Sequence, residues 1–132
     1  MRALWDTSLW IAASRNPRFE APGDPELEAL VTCGPVVQEV LQGAREPFRR
    51  SLRERLLAVP RVGDPVDMET YVAAAEIYQR ARDRGATIAS PMDCLIAAIA
   101  MAAGVEVWHL DRDYEVMAGW LPLRQRSLRG LV

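Results

Sequence analysis

The sequence predicts a single α/β domain of three layers, in which helices cover both faces of a central parallel sheet. Three observations support this class. The 132 residues suit one domain and leave little room for a second. Short apolar runs that predict buried strands alternate with longer amphipathic runs that predict helices, an order typical of parallel sheets. No repeat, low-complexity tract or linker divides the chain, so we assign residues 1–132 to one domain.

In the first half of the chain, caps and turn residues separate the predicted elements. An apolar run ends at Asp6, and either Asp6 or Thr7 can cap the helix that follows. Pro35 suits the first turn of another helix. The predicted elements are a strand over residues 3–5, a helix over 8–14, a Pro- and Gly-rich loop over 16–25, a strand over 30–33, a helix over 35–43 and a charged amphipathic helix over 46–58.

In the second half, glycines end the helices. Gly85 and Gly104 each follow a run with helical spacing and favour a helix C-terminus there. Tyr71, Ala75 and Tyr78 recur at three- and four-residue intervals, which predicts a buried stripe. The predicted elements are a long helix over residues 66–84, an apolar helix over 91–103, a strand over 105–108 and a short helix over 111–118.

Bulk composition excludes several classes. The longest apolar stretch, residues 94–105, is too short to span a bilayer, and the first residues have no secretory pattern, so we expect a cytoplasmic protein. The two cysteines, Cys33 and Cys94, form no CxxC pair, which argues against a zinc site and favours buried thiols in a reducing compartment.

The charge distribution is more informative than the formal net charge of −2. All 16 basic residues are arginine, and five of them fall between Arg45 and Arg55. The planar guanidinium suits phosphate because it donates hydrogen bonds in pairs. A solvated helix face, combined with a codon bias toward arginine, explains such a cluster equally well.

Acidic side chains occur at positions where predicted elements meet. Asp6 and Asp111 each follow a predicted strand, and ligands of parallel sheets bind at that edge. Asp93 begins an apolar helix, and Glu39 lies at the edge of an apolar helical arc. Helix capping, or for Glu39 a place on the helix surface, explains each acid alone. Together, carboxylates crowded in one cleft repel each other unless a cation lies among them, and Mg²⁺ or Mn²⁺ prefers such oxygen ligands.

Four segments, in this order, closely resemble the PIN-domain family and, within it, the VapC toxins of bacterial toxin–antitoxin modules. They are Leu4-Trp5-Asp6-Thr7-Ser8, Val36-Val37-Gln38-Glu39-Val40-Leu41-Gln42-Gly43, Asp93-Cys94-Leu95-Ile96-Ala97-Ala98-Ile99-Ala100 with Gly104 after it, and Asp111-Arg112-Asp113-Tyr114. The segments span nearly the whole chain, and each is weak alone.

The resemblance implies a PIN-like α/β/α fold and a metal-dependent endoribonuclease that uses Mg²⁺ or Mn²⁺, the toxin of a toxin–antitoxin pair. It implies RNA as substrate, a cognate VapB-like antitoxin as partner, and a homodimer, with no membrane association. Arg45, Arg49, Arg50 and Arg53 are then candidates for binding the RNA backbone. The residues that match the family's catalytic, metal-binding acids are Asp6, Glu39, Asp93 and Asp111, with Asp113 as an additional acid and Ser8 as a supporting hydroxyl.

One position departs from the family pattern. His109, the only histidine, stands where the family usually has Thr or Ser, two residues before Asp111. We expect a packed side chain at the strand end, and a contact with the metal site or with RNA phosphate is the alternative.

Other functions fit the sequence less well. A phosphoryl-transfer receiver domain relies on a lysine, which the chain lacks, and a haloacid-dehalogenase-type phosphatase would need Asp-x-Asp where the chain has Asp6-Thr7-Ser8. Neither a GxGxxG nor a P-loop supports nucleotide binding. The alternative that stays open is a non-catalytic or non-toxic PIN-like module for RNA binding or processing.

Overall fold

The computed structural model describes residues 2–15, 29–88 and 90–131. Within these residues the chain forms a four-stranded parallel sheet and six α-helices, which confirms the predicted α/β class. The loop predicted over 16–25 lies outside the described residues.

The sheet has the order β2-β1-β3-β4, and every neighbouring pair is parallel. Leu4 pairs with Val31 on one side and with Val107 on the other, and all three side chains are buried. Burial on both faces explains why β1 and β2 are continuously apolar rather than alternating. The strands are β1 (Ala3–Trp5), β2 (Leu30–Val31), β3 (Glu106–His109) and β4 (Gln125–Ser127).

Helices lie on both faces of the sheet. Trp5 and Trp108 are register partners on neighbouring strands and share a face, where Trp5 contacts Trp10 of the first helix at 5.4 Å between ring centroids. His109 follows Trp108 and therefore points to the other face. There its ring lies 5.0 Å from that of Tyr114 in the last helix. This arrangement is the predicted three-layer α/β/α architecture.

The helix bounds agree with the sequence in most cases. The apolar helix begins at Pro91, after Ser90 accepts a capping bond from the amide of Met92, and it ends at Gly104, whose φ of 68° favours glycine. It packs against the preceding long helix. The helices are α1 (Thr7–Arg15), α2 (Gly34–Gln42), α3 (Arg49–Ala58), α4 (Met68–Asp83), α5 (Pro91–Ala103) and α6 (Arg112–Ala118), with a 3₁₀ turn at Arg129–Leu131.

Several bounds shift by one to three residues from the prediction, and one strand was not predicted. The helix expected over 46–58 begins at Arg49, because Pro47 disfavours helical backbone at Glu46. The second strand ends at Val31, after which Thr32 makes one parallel bridge to Arg61. Strand β4 was not predicted, because Gln125, Arg126 and Ser127 carry no apolar pattern.

The described part of the chain contains no helix long and apolar enough to cross a membrane. Cys33 and Cys94 are free, buried thiols, as expected. Burial is the main cause that raises the pKa of each thiol to about 11, so both are weak metal ligands and nucleophiles.

Candidate metal centre at the carboxyl edge of the sheet

The topology brings acidic residues from three elements to one edge of the sheet. Asp6 follows the last residue of β1, and Asp111 lies two residues after β3. Helix α5 leads into β3 and so runs antiparallel to it, which places the start of α5, with Asp93, at the same edge. Parallel sheets bind ligands at this edge, so the position alone marks it as a candidate site.

Asp93, Asp111 and Asp113 form a compact group, here called the three-acid group. One carboxylate oxygen from each lies within 4.8 Å of the other two. Asp93 is buried, whereas Asp111 and Asp113 are partly exposed. Asp111 also caps α6, because its Oδ1 accepts a hydrogen bond from the Asp113 amide at 2.9 Å. Asp111 can therefore cap α6 and belong to the three-acid group at the same time.

Asp6 is held rigidly beside this group. It is 2% exposed, and its two carboxylate oxygens accept hydrogen bonds from the Ser8 hydroxyl at 2.7 and 2.8 Å. The amide of Leu9 donates a further bond at 3.1 Å. Burial nevertheless raises the pKa of Asp6 from 3.8 to about 6, and the negative charge of Asp111 adds to the shift.

Ser8 links Asp6 to the other strand end. Its Oγ also accepts a hydrogen bond from the amide of Leu110 at 3.2 Å, on the segment between β3 and Asp111. One hydroxyl therefore connects the backbone next to Asp111 with the carboxylate of Asp6. This geometry suits the supporting role expected for Ser8.

Asp93 is the most perturbed acid of the group. Its pKa is raised well above the ordinary value, first by burial and then by contact with Asp111 and the charges of Asp6 and Asp113. The hydroxyl of the fully buried Tyr114 donates to Asp93 Oδ1 at 3.3 Å. Buried carboxylates this close to one another ionise together only at high free energy.

A divalent cation fits this set of donors. Carboxylate oxygens are the ligands that Mg²⁺ and Mn²⁺ prefer. A cation among the acids would offset their mutual repulsion and favour the ionised form of Asp93. Cys94 is the neighbour of Asp93 in sequence, but burial and the nearby acids keep its thiol protonated. The site is thus suited to a hard cation rather than to zinc.

Glu39 lies outside the three-acid group. Its Oε1 accepts a hydrogen bond at 2.8 Å from the hydroxyl of Thr7, the residue that follows Asp6. Helix α2, which carries Glu39, packs against α1. The structure therefore anchors Glu39 beside the Asp6 segment, and its role as a metal ligand stays a prediction.

His109 is fully buried and uses both ring nitrogens. Its Nδ1 accepts a hydrogen bond from the Asp111 amide at 3.1 Å, and its Nε2 lies 2.7 Å from Oε1 of Gln125 in β4. Burial is the main cause that lowers its pKa, so the neutral ring is favoured. The ring is packed in the core at the strand end, as expected. Neither Gln125 nor Tyr114 was predicted as a site residue, although Tyr114 ends the fourth of the segments that resemble the family.

The four arginines expected to contact RNA lie in and just before α3 and are all exposed. Arg49 pairs with Glu46 at 3.5 Å, and Arg50 pairs with Glu54 at 3.3 Å. Exposed pairs of this kind contribute little stability, so phosphate can replace the carboxylates. Helix α3 packs against α2, the helix of Glu39. Binding of RNA by Arg45, Arg49, Arg50 and Arg53 stays a prediction.

The fold and the site define an α/β protein with a carboxylate cluster at the carboxyl edge of a parallel sheet. A sequence model of the PIN domain matches residues 3–119 of the chain. The chain belongs to the PIN-domain family, as its motifs predicted.

Relatives place it among the VapC proteins. The chain is 35% identical to VapC ribonuclease Mb1587 of Mycobacterium bovis and to ribonuclease VapC11 of Mycobacterium tuberculosis. Each match covers 96% of this chain and 98% of the relative.

Solved structures agree on the fold. The VapBC-5 toxin–antitoxin structure from Mycobacterium tuberculosis superposes with a TM-score of 0.69 at 20% identity, covering 96% of this chain and 99% of that one. VapBC2 from Rickettsia felis, bound to a DNA fragment from its promoter, gives 0.68 at 13% identity, with 96% and 98% coverage.

Proposed function

We propose that this chain is a divalent-metal-dependent endoribonuclease that acts as the toxin of a toxin–antitoxin pair. The observation that carries the proposal is the three-acid group with Asp6 beside it, in a chain that belongs to the PIN-domain family and is 35% identical to VapC ribonucleases. The cofactor we propose is Mg²⁺ or Mn²⁺.

Each acid has a proposed part in the reaction. Asp93, Asp111 and Asp6 offer the oxygen ligands, and Glu39 and Asp113 complete the negative cleft. When bound, the cation supplies Lewis-acid stabilisation of the phosphate and lowers the pKa of water. Ser8 and Tyr114 hold the carboxylates of Asp6 and Asp93 in fixed orientations. A fixed arrangement lowers the reorganisation that the reaction needs.

The proposed reaction is hydrolysis of an RNA phosphodiester. An oxygen from water bonds to phosphorus while the bond to the 3′ oxygen breaks. The products are a 5′-phosphate and a 3′-hydroxyl. No side chain is needed as general base, which agrees with the buried, doubly bonded ring of His109. We propose that the arginines of and before α3 bind the backbone of the same RNA.

A VapB-like antitoxin is the proposed protein partner, by analogy with the VapBC complexes that share the fold. We propose that its tail lies across the acidic cleft. A guanidinium from the tail would pair with Asp6, Glu39 or Asp93 and compete with the cation. A cleft lined with carboxylates favours such a replacement, because without a cation it carries uncompensated negative charge.

A homodimer is the proposed quaternary state. Helices α4 and α5 border an apolar groove of about 450 Å³, lined by Tyr71, Tyr78, Met92 and Leu95 among others. Met68, Tyr71 and Val72 remain exposed on α4. A second copy of the chain would bury this surface. The proposed compartment is the cytoplasm, where free thiols and RNA occur together.

The experiment that tests the function uses purified protein and total RNA. We expect cleavage with Mg²⁺ or Mn²⁺, none after chelation with EDTA, and none by Asp6→Asn. Mapped ends should carry 5′-phosphates. Expression in a host cell should be toxic, and co-expression of the partner encoded beside it should suppress the toxicity. A soluble wild-type protein that is harmless and cuts no RNA would favour a non-catalytic RNA-binding module instead.

A further inference from the structure

We propose that His109 and Gln125 are positioning residues that fix the three-acid group from the core side of the sheet. The inference rests on the function proposed above and adds two residues to its machinery. Neither side chain belongs to the acidic cleft itself. They act through the Asp111 amide and through Tyr114, so they are positioning rather than catalytic residues.

The hydrogen-bond partners define the state of the ring. The Asp111 amide can only donate, so His109 Nδ1, at 3.1 Å, must accept and carries no proton. The proton of the neutral ring is therefore on Nε2, which donates to Gln125 Oε1 at 2.7 Å. This arrangement gives a chain of two hydrogen bonds from β4, through the core, to the backbone of Asp111.

The first consequence concerns the turn between β3 and α6. The bond to the Asp111 amide fixes the backbone of the turn that follows β3. From there the Asp111 carboxylate caps α6 through the Asp113 amide at 2.9 Å. Two of the three acids thus take their positions from a turn that His109 holds.

The second consequence concerns Asp93. The His109 ring lies 5.0 Å from the ring of Tyr114, and the hydroxyl of Tyr114 donates to Asp93 at 3.3 Å. Both rings are fully buried, and side chains in a close-packed core move little. One imidazole therefore contacts both the Asp111 amide and Tyr114, the residue whose hydroxyl donates to Asp93.

The chemistry of the replacements separates hydrogen bonding from packing. In His109→Asn, the amide oxygen occupies the place of Nδ1 and keeps an acceptor for the Asp111 amide. In His109→Gln, a polar group remains near Nε2 but the proximal acceptor is lost. His109→Leu keeps the apolar volume and loses both bonds. Gln125→Glu keeps an acceptor for the Nε2 proton, whereas Gln125→Leu removes it.

The first experiment measures kcat, KM for RNA and Mn²⁺ affinity for these variants. Residues that orient metal ligands typically change affinity or activity about 10–100-fold. We expect a loss of this size in kcat and Mn²⁺ affinity for His109→Leu and His109→Gln, with KM for RNA unchanged. His109→Asn should lose less than either of them, because it keeps the acceptor for the Asp111 amide while losing the bond to Gln125. Equal losses in His109→Asn and His109→Leu, or no loss in either, would overturn the proposal.

If the His109 variants do not fold, the two variants of Gln125 still test the proposal, because Gln125 is only half-buried. Gln125→Leu should lose activity and Gln125→Glu should retain it. The same activity in both would contradict the proposal.

A second experiment does not depend on catalysis. Nitrogen-15 NMR of the wild-type ring should show a protonated Nε2, an unprotonated Nδ1 and a scalar coupling between Nδ1 and the Asp111 amide. A protonated Nδ1 would overturn the positioning role. If the wild-type protein cuts no RNA, the proposed function fails, but this spectrum still decides the role of His109.

Discussion

The buried acids Asp6 and Asp93 differ from the partly exposed acids Asp111 and Asp113, although all four lie at the same edge of the sheet. Burial raises the pKa of both Asp6 and Asp93. Each of these two is also held by a neighbouring hydroxyl, from Ser8 and Tyr114 respectively. The two partly exposed acids instead belong to the N-terminal cap of α6, in which Asp111 accepts a hydrogen bond from the Asp113 amide. The difference indicates that Asp6 and Asp93 carry the larger free-energy cost of ionisation, which a bound cation would offset.

The largest expected effect is the loss of cleavage in Asp93→Asn. This substitution removes the acid whose pKa is raised by the charges of the three other aspartates, and with it one proposed ligand, which is worth several kcal/mol or about a thousandfold in rate. The fold should persist, because one charge leaves a repelling cluster. RNA cleavage in Mg²⁺ measures the effect.

The matched control for that variant is Asp83→Asn. Asp83 is exposed at the end of α4 and lies outside the three-acid group, so its substitution should leave cleavage within about twofold of the wild type. Full activity of purified Asp93→Asn would show that this buried acid contributes no more to cleavage than an exposed acid such as Asp83.

The second effect is on stability, and its direction follows from the raised pKa of Asp6. In the unfolded chain the carboxyl ionises near pH 3.8, but in the fold it ionises near pH 6. The unfolded state therefore loses its proton first, and metal-free protein should become less stable as the pH rises from about 4 to about 6. The contribution of Asp6 to the free energy of unfolding should fall by at most about 3 kcal/mol over this range, and the raised pKa of Asp93 adds a further decrease that extends to higher pH.

Asp6→Asn should reduce this pH dependence, leaving the part due to Asp93, and raise the stability of the metal-free protein at neutral pH. Urea denaturation at several pH values, in the presence of EDTA, measures both changes. A variant that is less stable than the wild type at pH 7 would show that the bonds from Ser8 and Leu9 outweigh the burial of charge.

The smallest effect should come from Thr7→Val. This change removes the hydroxyl that holds Glu39 and keeps the shape of the side chain. One neutral donor to a carboxylate contributes about 1–2 kcal/mol, so we expect a loss of about tenfold or less in kcat. A loss as large as that of Asp93→Asn would show that Glu39, held by Thr7, contributes as much to cleavage as the buried acids.

Much of this arrangement was accessible from the sequence. Asp6 and Asp111 could be assigned to one edge because each follows a predicted strand, and both strands exist, β1 with the predicted bounds and β3 shifted by one residue. The start of the apolar helix placed Asp93 correctly, since Ser90 and Pro91 mark a helix N-terminus. Glu39 could be singled out at the edge of an apolar helical arc, and the family resemblance joined the four acids into one site.

Other features depend on three-dimensional packing that no local pattern encodes. The closeness of Asp113 to Asp93 comes from the docking of α6 beside α5. Gln125 was missed because β4 is a short edge strand with polar side chains. The bond between Tyr114 and Asp93 joins residues 21 positions apart, and nothing in the spacing of either helix predicts it.

The central claim is that the acids at the sheet edge hold a divalent cation. Titration of metal-free protein with Mn²⁺, without RNA and at neutral pH, tests it most directly. The account predicts saturable binding by the wild type and by Asp83→Asn, and binding weakened by about tenfold or more in Asp93→Asn. Equal Mn²⁺ affinity in all three proteins, or no binding by any of them, would contradict it.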